Sequence, residues 1–169
     1  MPLPVAPGVA AARRRETPSF TRVLALARSF GGRPLLIEGA GGLFVPIDAE
    51  RDMIDLIETL NIPVLLVARA GLGTLNHTGL SLAVLAKRRI PLRAVLLTKV
   101  MAVNDPSEQD NAEWLWQRHG VTVLGPVPYA QDPTSRRAAD RQALRPLLTA
   151  LAQRQRAPPR LETRSETHG

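Results

Sequence analysis

IPVLLVARAGLGTLNHTGLSLAVLAKRRIPLRAVLLTKV, residues 62–100, decides the fold. Two short apolar runs, "IPVLLVARAG" and "IPLRAVLLTKV", read as buried strands. Between them "TLNHTGLSLAVLAKRR" reads as a helix. It opens at Thr74, a good N-cap, and closes on basic residues that suit a helix C-terminus.

The same alternation continues in both directions. Upstream, "PLLIE", residues 34–38, is a continuous apolar run fit for a strand covered on both faces. It is followed by "RDMIDLIETLN", with Met53, Ile54, Ile57 and Leu60 on one helix face. Further upstream, Val23, Leu24, Leu26, Ala27 and Phe30 fall at a helical period that Gly31 and Gly32 stop. Downstream, residues 107–119 predict a helix carrying Trp114 and Trp116. Two positions apart, the two rings cannot share one face, so one is expected in the core and the other partly exposed or at an interface. "GVTVLGPVPY" is a fourth strand, and a last helix runs from about Ala138 to Gln155. Four strand–helix alternations predict an α/β fold, an open parallel sheet with helices on both faces. Ligands in such sheets bind beyond the carboxyl ends of the strands. One domain is expected over residues 1–155, and residues 156–169 read as a basic, disordered tail.

Composition narrows the function classes. No cysteine is present, so disulfides and cysteine metal sites are excluded. No apolar run approaches a membrane span. The arginines of "MPLPVAPGVAAARRR" follow the apolar part, the reverse of a secretory signal, and its prolines argue against the amphipathic helix of a transit peptide. A cytoplasmic protein is expected, with no membrane partner. The net charge of +7 is concentrated at Arg13–Arg15 and in the arginines from Arg136 onward. No aromatics interleave with them, so nucleic acid is not an expected partner.

The strand ends carry the candidate chemistry. Glu38 stands at the tip of its run and Gly39, Ala40, Gly41 and Gly42 follow. A carboxylate there suits a Mg²⁺ that bridges phosphates, and bare backbone lets N–H groups approach an anion. A tight turn with an exposed acid would look the same. In "ARAGLGTLNHT", Gly71 and Gly73 make a turn, and the helix opening at Thr74 can bind a carboxylate or phosphate, with Asn76 adding hydrogen bonds. A glycine turn plus an N-cap remains the alternative. The spacing lacks the third glycine of a dinucleotide fingerprint, and His77 reads as a local hydrogen-bonding residue. Residues after "LLTKV" can reach a purine base or merely end a strand. Pro126 and Pro128 in "GPVPY" fix a rigid loop that either packs on a flat ring or simply connects.

Taken together, "LLIEGAGGLFVPID", "MIDLIETLNIPVLLVARAGLGTLNHT" and "LGPVPY" resemble dethiobiotin synthases, over about residues 2–151, and "PVAPGVAAARR" is similar to that family's Pro-Ala-Pro stretch beside the substrate pocket. The resemblance implies a P-loop NTPase-like fold, here truncated, and an ATP- and Mg²⁺-dependent ligase of biotin biosynthesis working as a homodimer. Such an enzyme carbamoylates 7,8-diaminononanoate with CO₂, phosphorylates the carbamate and closes the ureido ring. By resemblance Glu38 is the Mg²⁺ ligand. Gly39, Ala40 and Gly41 line the phosphates, with Gly41 and Gly42 beside the carbamate. Gly73, Thr74, Leu75 and Asn76 form the loop that reaches the substrate carboxylate across the dimer. Thr98, Lys99, Pro128, Tyr129 and Ala130 surround the adenine.

The departures are equally specific. No G-x-x-x-x-G-K-[ST] phosphate loop occurs in the chain, nor the family's second lysine or the Asp that completes its metal shell. Thr98 stands where the family commonly has Asn, and an acidic residue is replaced near Ser135. The expectation is a C-terminal portion whose phosphate loop lies upstream or on a partner chain. Phosphoryl transfer relies on positioning and charge neutralisation, so the loss of those groups is expected to remove on the order of 10³-fold or more of rate. The alternative expectation is a degenerate, non-catalytic paralogue acting as a dimerising or regulatory module.

Overall fold

Ala94, Val95, Leu96 and Leu97 are buried in succession, as a strand covered on both faces requires. They sit in the middle strand of a three-stranded sheet. The computed structural model describes residues 7–14, 16, 19–31, 35–39, 41–102, 105–132, 134, 135, 137, 141, 144, 145 and 149. In chain order its elements are α1 (Pro7–Arg14), α2 (Phe20–Ser29), α3 (Met53–Leu60), β1 (Val64–Arg69), α4 (Thr74–Lys87), β2 (Leu92–Thr98), α5 (Glu108–His119) and β3 (Val123–Val127). The sheet order is β1-β2-β3. Val64 N–H donates to Pro91 O and Ala70 N–H to Thr98 O, so β1 and β2 run the same way. β2 and β3 are also parallel, pairing Val95 with Val123, Leu96 with Leu124 and Thr98 with Val127. Three residues of β3 span what two span on β2, a bulge at the carboxyl end. The expected parallel α/β architecture is thus present.

The described residues fall into two units, one drawn from 1–66 and 75–94, the other from 67–74 and 95–169. In the first, Phe20, Ile47 and Leu56 form one buried cluster, with Leu24, Met53 and Leu60 packed on it. Ile54, Leu85 and Ile90 form another, against Leu43, Ile57, Val64, Val84 and Leu92. The α3 residues Met53, Ile54, Ile57 and Leu60 are the apolar stripe that its helical period predicts. On α2 the expected stripe is corrected, since Leu24 packs beside Phe20 while Val23, Leu26 and Phe30 are exposed. Ser19 caps α2 by accepting from Arg22 N–H at 3.3 Å. Asn61 ends α3 in the left-handed conformation (φ 50°), which asparagine tolerates. Asp48 gathers the N–H groups of Phe20, Glu50 and Arg51 and the Arg51 guanidinium, and that guanidinium lies 4.2 Å from the Phe20 ring centroid. The second unit packs α5 on β3, with Asn111 and Leu115 buried on the helix.

Several expectations are corrected. Residues 35–39 are not a buried strand. They form neither helix nor strand, and Leu36 is 88% exposed. An apolar run becomes a strand only where a neighbouring backbone completes its hydrogen bonds, and no such ladder exists for these residues among those described. The described sheet therefore has three strands. β1 is half-buried, with Val67 58% exposed, because a strand at the sheet margin is covered less completely than β2. The N-terminal prolines do not prevent a helix. Pro7 stands at the first helical position, whose N–H needs no intrahelical partner. That helix buries Ala11, and its Gly8 N–H donates to Pro46 O at 3.2 Å. Thr74 is the first helical residue rather than the flanking cap. Pro126 lies within β3, not in a loop.

Neither tryptophan is core. Trp114 is 55% and Trp116 58% exposed, because Leu115 between them takes the buried stripe and each ring is turned away from it by about 100°. Arg141, Leu144, Arg145 and Thr149 are helical, as expected of the last helix. The remainder of that helix and the tail from 156 lie outside the described residues. No helix among the described residues is long and apolar enough to cross a membrane.

Candidate functional site

In the second unit the ladder of β2 and β3 brings two candidate segments side by side. Lys99 N–H donates to Val127 O at 2.9 Å, so Thr98 and Lys99 lie beside the start of the Pro128–Tyr129–Ala130 segment. Ala70 N–H donates to Thr98 O at 2.8 Å, which ties the end of β1 to the same place. Gly71, Leu72 and Gly73 then turn the chain into α4, closed by Thr74 N–H to Gly71 O at 3.2 Å. Thr74 and Thr78 are buried. Thus Gly73, Thr74, Thr98, Lys99, Pro128, Tyr129 and Ala130 all lie at the carboxyl ends of parallel strands, where such sheets bind ligands.

The first turn of α5 fastens this arrangement. Asp105 Oδ2 accepts Leu72 N–H at 2.7 Å, while Oδ1 accepts Ser107 N–H at 2.9 Å and Ser107 Oγ–H at 2.7 Å. The Leu72 N–H, followed by the Ser107 donors, holds the Asp105 carboxyl below the usual carboxylate range. Asn111 Nδ2 donates to Ala70 O at 2.7 Å. Lys99 Nζ is 2.7 Å from Glu108 Oε2, both side chains mostly buried. The Lys99 ammonium, expected near a base, is therefore engaged by Glu108. Asp105, Glu108 and Asn111 were not among the residues singled out from the sequence. The signal was "NDPSE", residues 104–108, an acid followed by Pro at a helix start. It marks a helix boundary but not the loop, 33 residues away, that Asp105 grips.

In the first unit Glu38 and Gly39 are exposed, and the Glu38 carboxylate has no protein partner among the described residues. Ala40 lies outside the described residues. Gly41 has φ +91°, and a Cβ there would stand 2.8 Å from Val45 Cγ2, so the turn requires glycine. Gly42 is open, with nothing within 4 Å of a Cβ. The chain then folds back on α3. Met53 N–H donates to Val45 O at 3.0 Å and Ile54 N–H to Leu43 O at 2.9 Å, so loop carbonyls take the first N–H groups of that helix. Leu75 and Asn76 are exposed on the first turn of α4. The described residues fit a metal ion only in part. The described residues contain no cluster of three or more His, Asp, Glu or Cys. Glu38 supplies one carboxylate, enough for a hard cation that keeps water and phosphate ligands but not for a protein cage.

A family model described as an AAA domain matches residues 1–137. The chain is 38% identical over 138 residues to an ATP-dependent dethiobiotin synthetase of Anaeromyxobacter dehalogenans, covering 80% of this chain and 62% of that protein. It is 38% identical over 127 residues to the dethiobiotin synthetase of Paramagnetospirillum magneticum, covering 75% and 58%. It is 41% identical over 125 residues to a biotin biosynthesis bifunctional protein of Bordetella avium, covering 74% and 25%. The chain spans about three fifths of the length of the two dethiobiotin synthetases.

Proposed function

The chain belongs to the AAA domain family and is a relative of ATP-dependent dethiobiotin synthetases, and from that footing we propose that it serves as the ATP- and substrate-binding portion of a dethiobiotin synthase. The reaction is the ring closure of 7,8-diaminononanoate with CO₂ at the expense of ATP, in the cytoplasm. The observation that supports the reading is that Ala70 N–H donates to Thr98 O and Lys99 N–H to Val127 O, so the segments leading into Gly73–Thr74 and into Pro128–Ala130 start from neighbouring strand ends beside Thr98 and Lys99.

In this reading Thr98 and the Lys99 backbone meet the base, with Tyr129 and the adjacent Pro128 and Ala130 beside it. The Lys99 ammonium stays with Glu108. Gly73, Thr74, Leu75 and Asn76 hold the substrate carboxylate at the start of α4, where the helix N-terminus favours an anion. Glu38 would hold Mg²⁺, with Gly39, Ala40, Gly41 and Gly42 leaving room for phosphate and carbamate. Bound Mg²⁺ neutralises phosphate charge during transfer. These 169 residues contain no G-x-x-x-x-G-K-[ST], so the phosphate cradle comes from other residues, upstream or on a partner in a homodimeric or two-chain assembly. The chain alone turns over little or nothing.

Calorimetric titration with Mg-ATP and with 7,8-diaminononanoate tests this, followed by an activity assay with a polypeptide carrying the Gly-Lys-Thr loop. Binding of both ligands, with turnover only in the mixture, is expected. A folded chain that binds neither ligand refutes the proposal. Thr98, where the resembling family carries Asn, favours a second reading as a non-catalytic dimerising or regulatory module, which would dimerise yet leave Mg-ATP unbound.

A further inference from the structure

We infer that Asp105 is a positioning residue, which sets the 71–74 turn in the shape that receives the substrate carboxylate. This rests on the reading of that turn as the carboxylate-binding loop. One carboxylate carries three bonds. It takes Leu72 N–H from the turn, and Ser107 N–H and Oγ–H from the start of α5. The turn and the helix are thereby fixed to a single charged group. The fit is close. A Cβ at Gly71 would lie 2.6 Å from Asp105 Oδ2, so glycine is required there for the carboxylate to reach Leu72. Leu72 N–H is committed to Asp105 and Thr74 N–H to Gly71 O, so in the proposed reading the anion is received by the turn that these two bonds shape, at Gly73 and the exposed Leu75 and Asn76. The Leu72 N–H and the Ser107 donors hold the Asp105 carboxyl in its charged form, so the grip persists at neutral pH.

Because 33 residues separate Asp105 from Leu72, the grip is tertiary, and two independent substitutions release it from opposite sides. Asp105→Ala removes the acceptor. Gly71→Ala keeps the carboxylate but pushes it out of reach. Each is expected to speed amide exchange at Leu72 at least tenfold. Each should also weaken 7,8-diaminononanoate binding about tenfold while leaving Mg-ATP affinity within twofold. Asp105→Asn, which keeps one acceptor oxygen, should fall between wild type and Asp105→Ala. Circular dichroism confirms that each variant is folded, and Asp105→Asn serves where Asp105→Ala is not.

Unchanged Leu72 exchange in the folded variants overturns the inference, as does faster exchange with undiminished diaminononanoate affinity. Equal losses of diaminononanoate and Mg-ATP binding also overturn it, since a merely structural residue would move both. If the wild-type chain itself binds no diaminononanoate, the functional reading fails and the ligand assigned to the turn fails with it. That outcome is distinguishable from the failure of Asp105 alone, in which wild-type binding is intact.

Discussion

Replacing Asn111 by alanine should destabilise the second unit, and the sign of the effect is the test. Asn111 is 5% exposed and its Nδ2 donates to Ala70 O at 2.7 Å, while Ala70 itself is fully buried. Removing the amide strands that carbonyl without another partner among the described residues. A buried acceptor left unpaired costs about 1–3 kcal/mol. Alanine is the better helix former by roughly 0.6 kcal/mol, and Asn111 sits inside α5. The net expectation is a loss of about 0.4–2.4 kcal/mol. Were Asn111 simply a surface residue, propensity alone would act and the variant would be slightly more stable. Urea unfolding reads the difference through Trp114 and Trp116, which lie on the same helix. A lower midpoint at unchanged slope gives the loss directly. Asn111→Asp should lose more at neutral pH, because a carboxylate would face the Ala70 carbonyl. An Asn111→Ala variant as stable as wild type, or more so, would refute the assignment of this bond as the support of the turn.

Three other outcomes follow from the same geometry. Leu85→Ala, in the cluster with Ile54 and Ile90, should cost about 2–5 kcal/mol in chemical denaturation; a cost under about 1 kcal/mol would mean that the site collapses freely or is not packed. Glu38→Gln should leave the thermal midpoint unchanged, because the side chain is exposed and has no partner among the described residues, while abolishing the Mg²⁺ dependence of nucleotide binding in calorimetry. Asp105, Asp132 and Asp48 should together make stability fall on acidification. Asp105 is lowered first by Leu72 N–H and Asp132 by the Ser135 side chain. For Asp48, burial pushes upward but is outweighed by the Arg51 guanidinium and three backbone N–H donors. A folded-state value below the ordinary 3.8 means that the contribution is complete above about pH 4 and fades below it. Acid titration by circular dichroism should therefore show loss below that point, and a flat profile down to pH 2 would contradict it.

What the sequence determined by itself is the order of local patterns. The apolar runs at 64–69, 92–98 and 123–127, with helical periods between them, dictate a parallel sheet, because periodicity is written in neighbouring residues. The same reading put the glycine turn before α4 and the ends of β2 and β3 on one rim, since parallel strands finish at one edge. It also offered residue types that could meet an anion or a base there, which remains part of the proposal. Tertiary structure alone decided how those patterns are completed. Residues 35–39 have the composition of a buried strand and are exposed, because a strand exists only with a partner backbone. Trp114 and Trp116 yield the core to Leu115, because the phase of α5 is set by what it packs on. Lys99 is engaged by Glu108, and Asp105 reaches Leu72 across 33 residues. Composition carries the propensity of each segment, but burial and hydrogen bonding belong to pairs that only folding brings together.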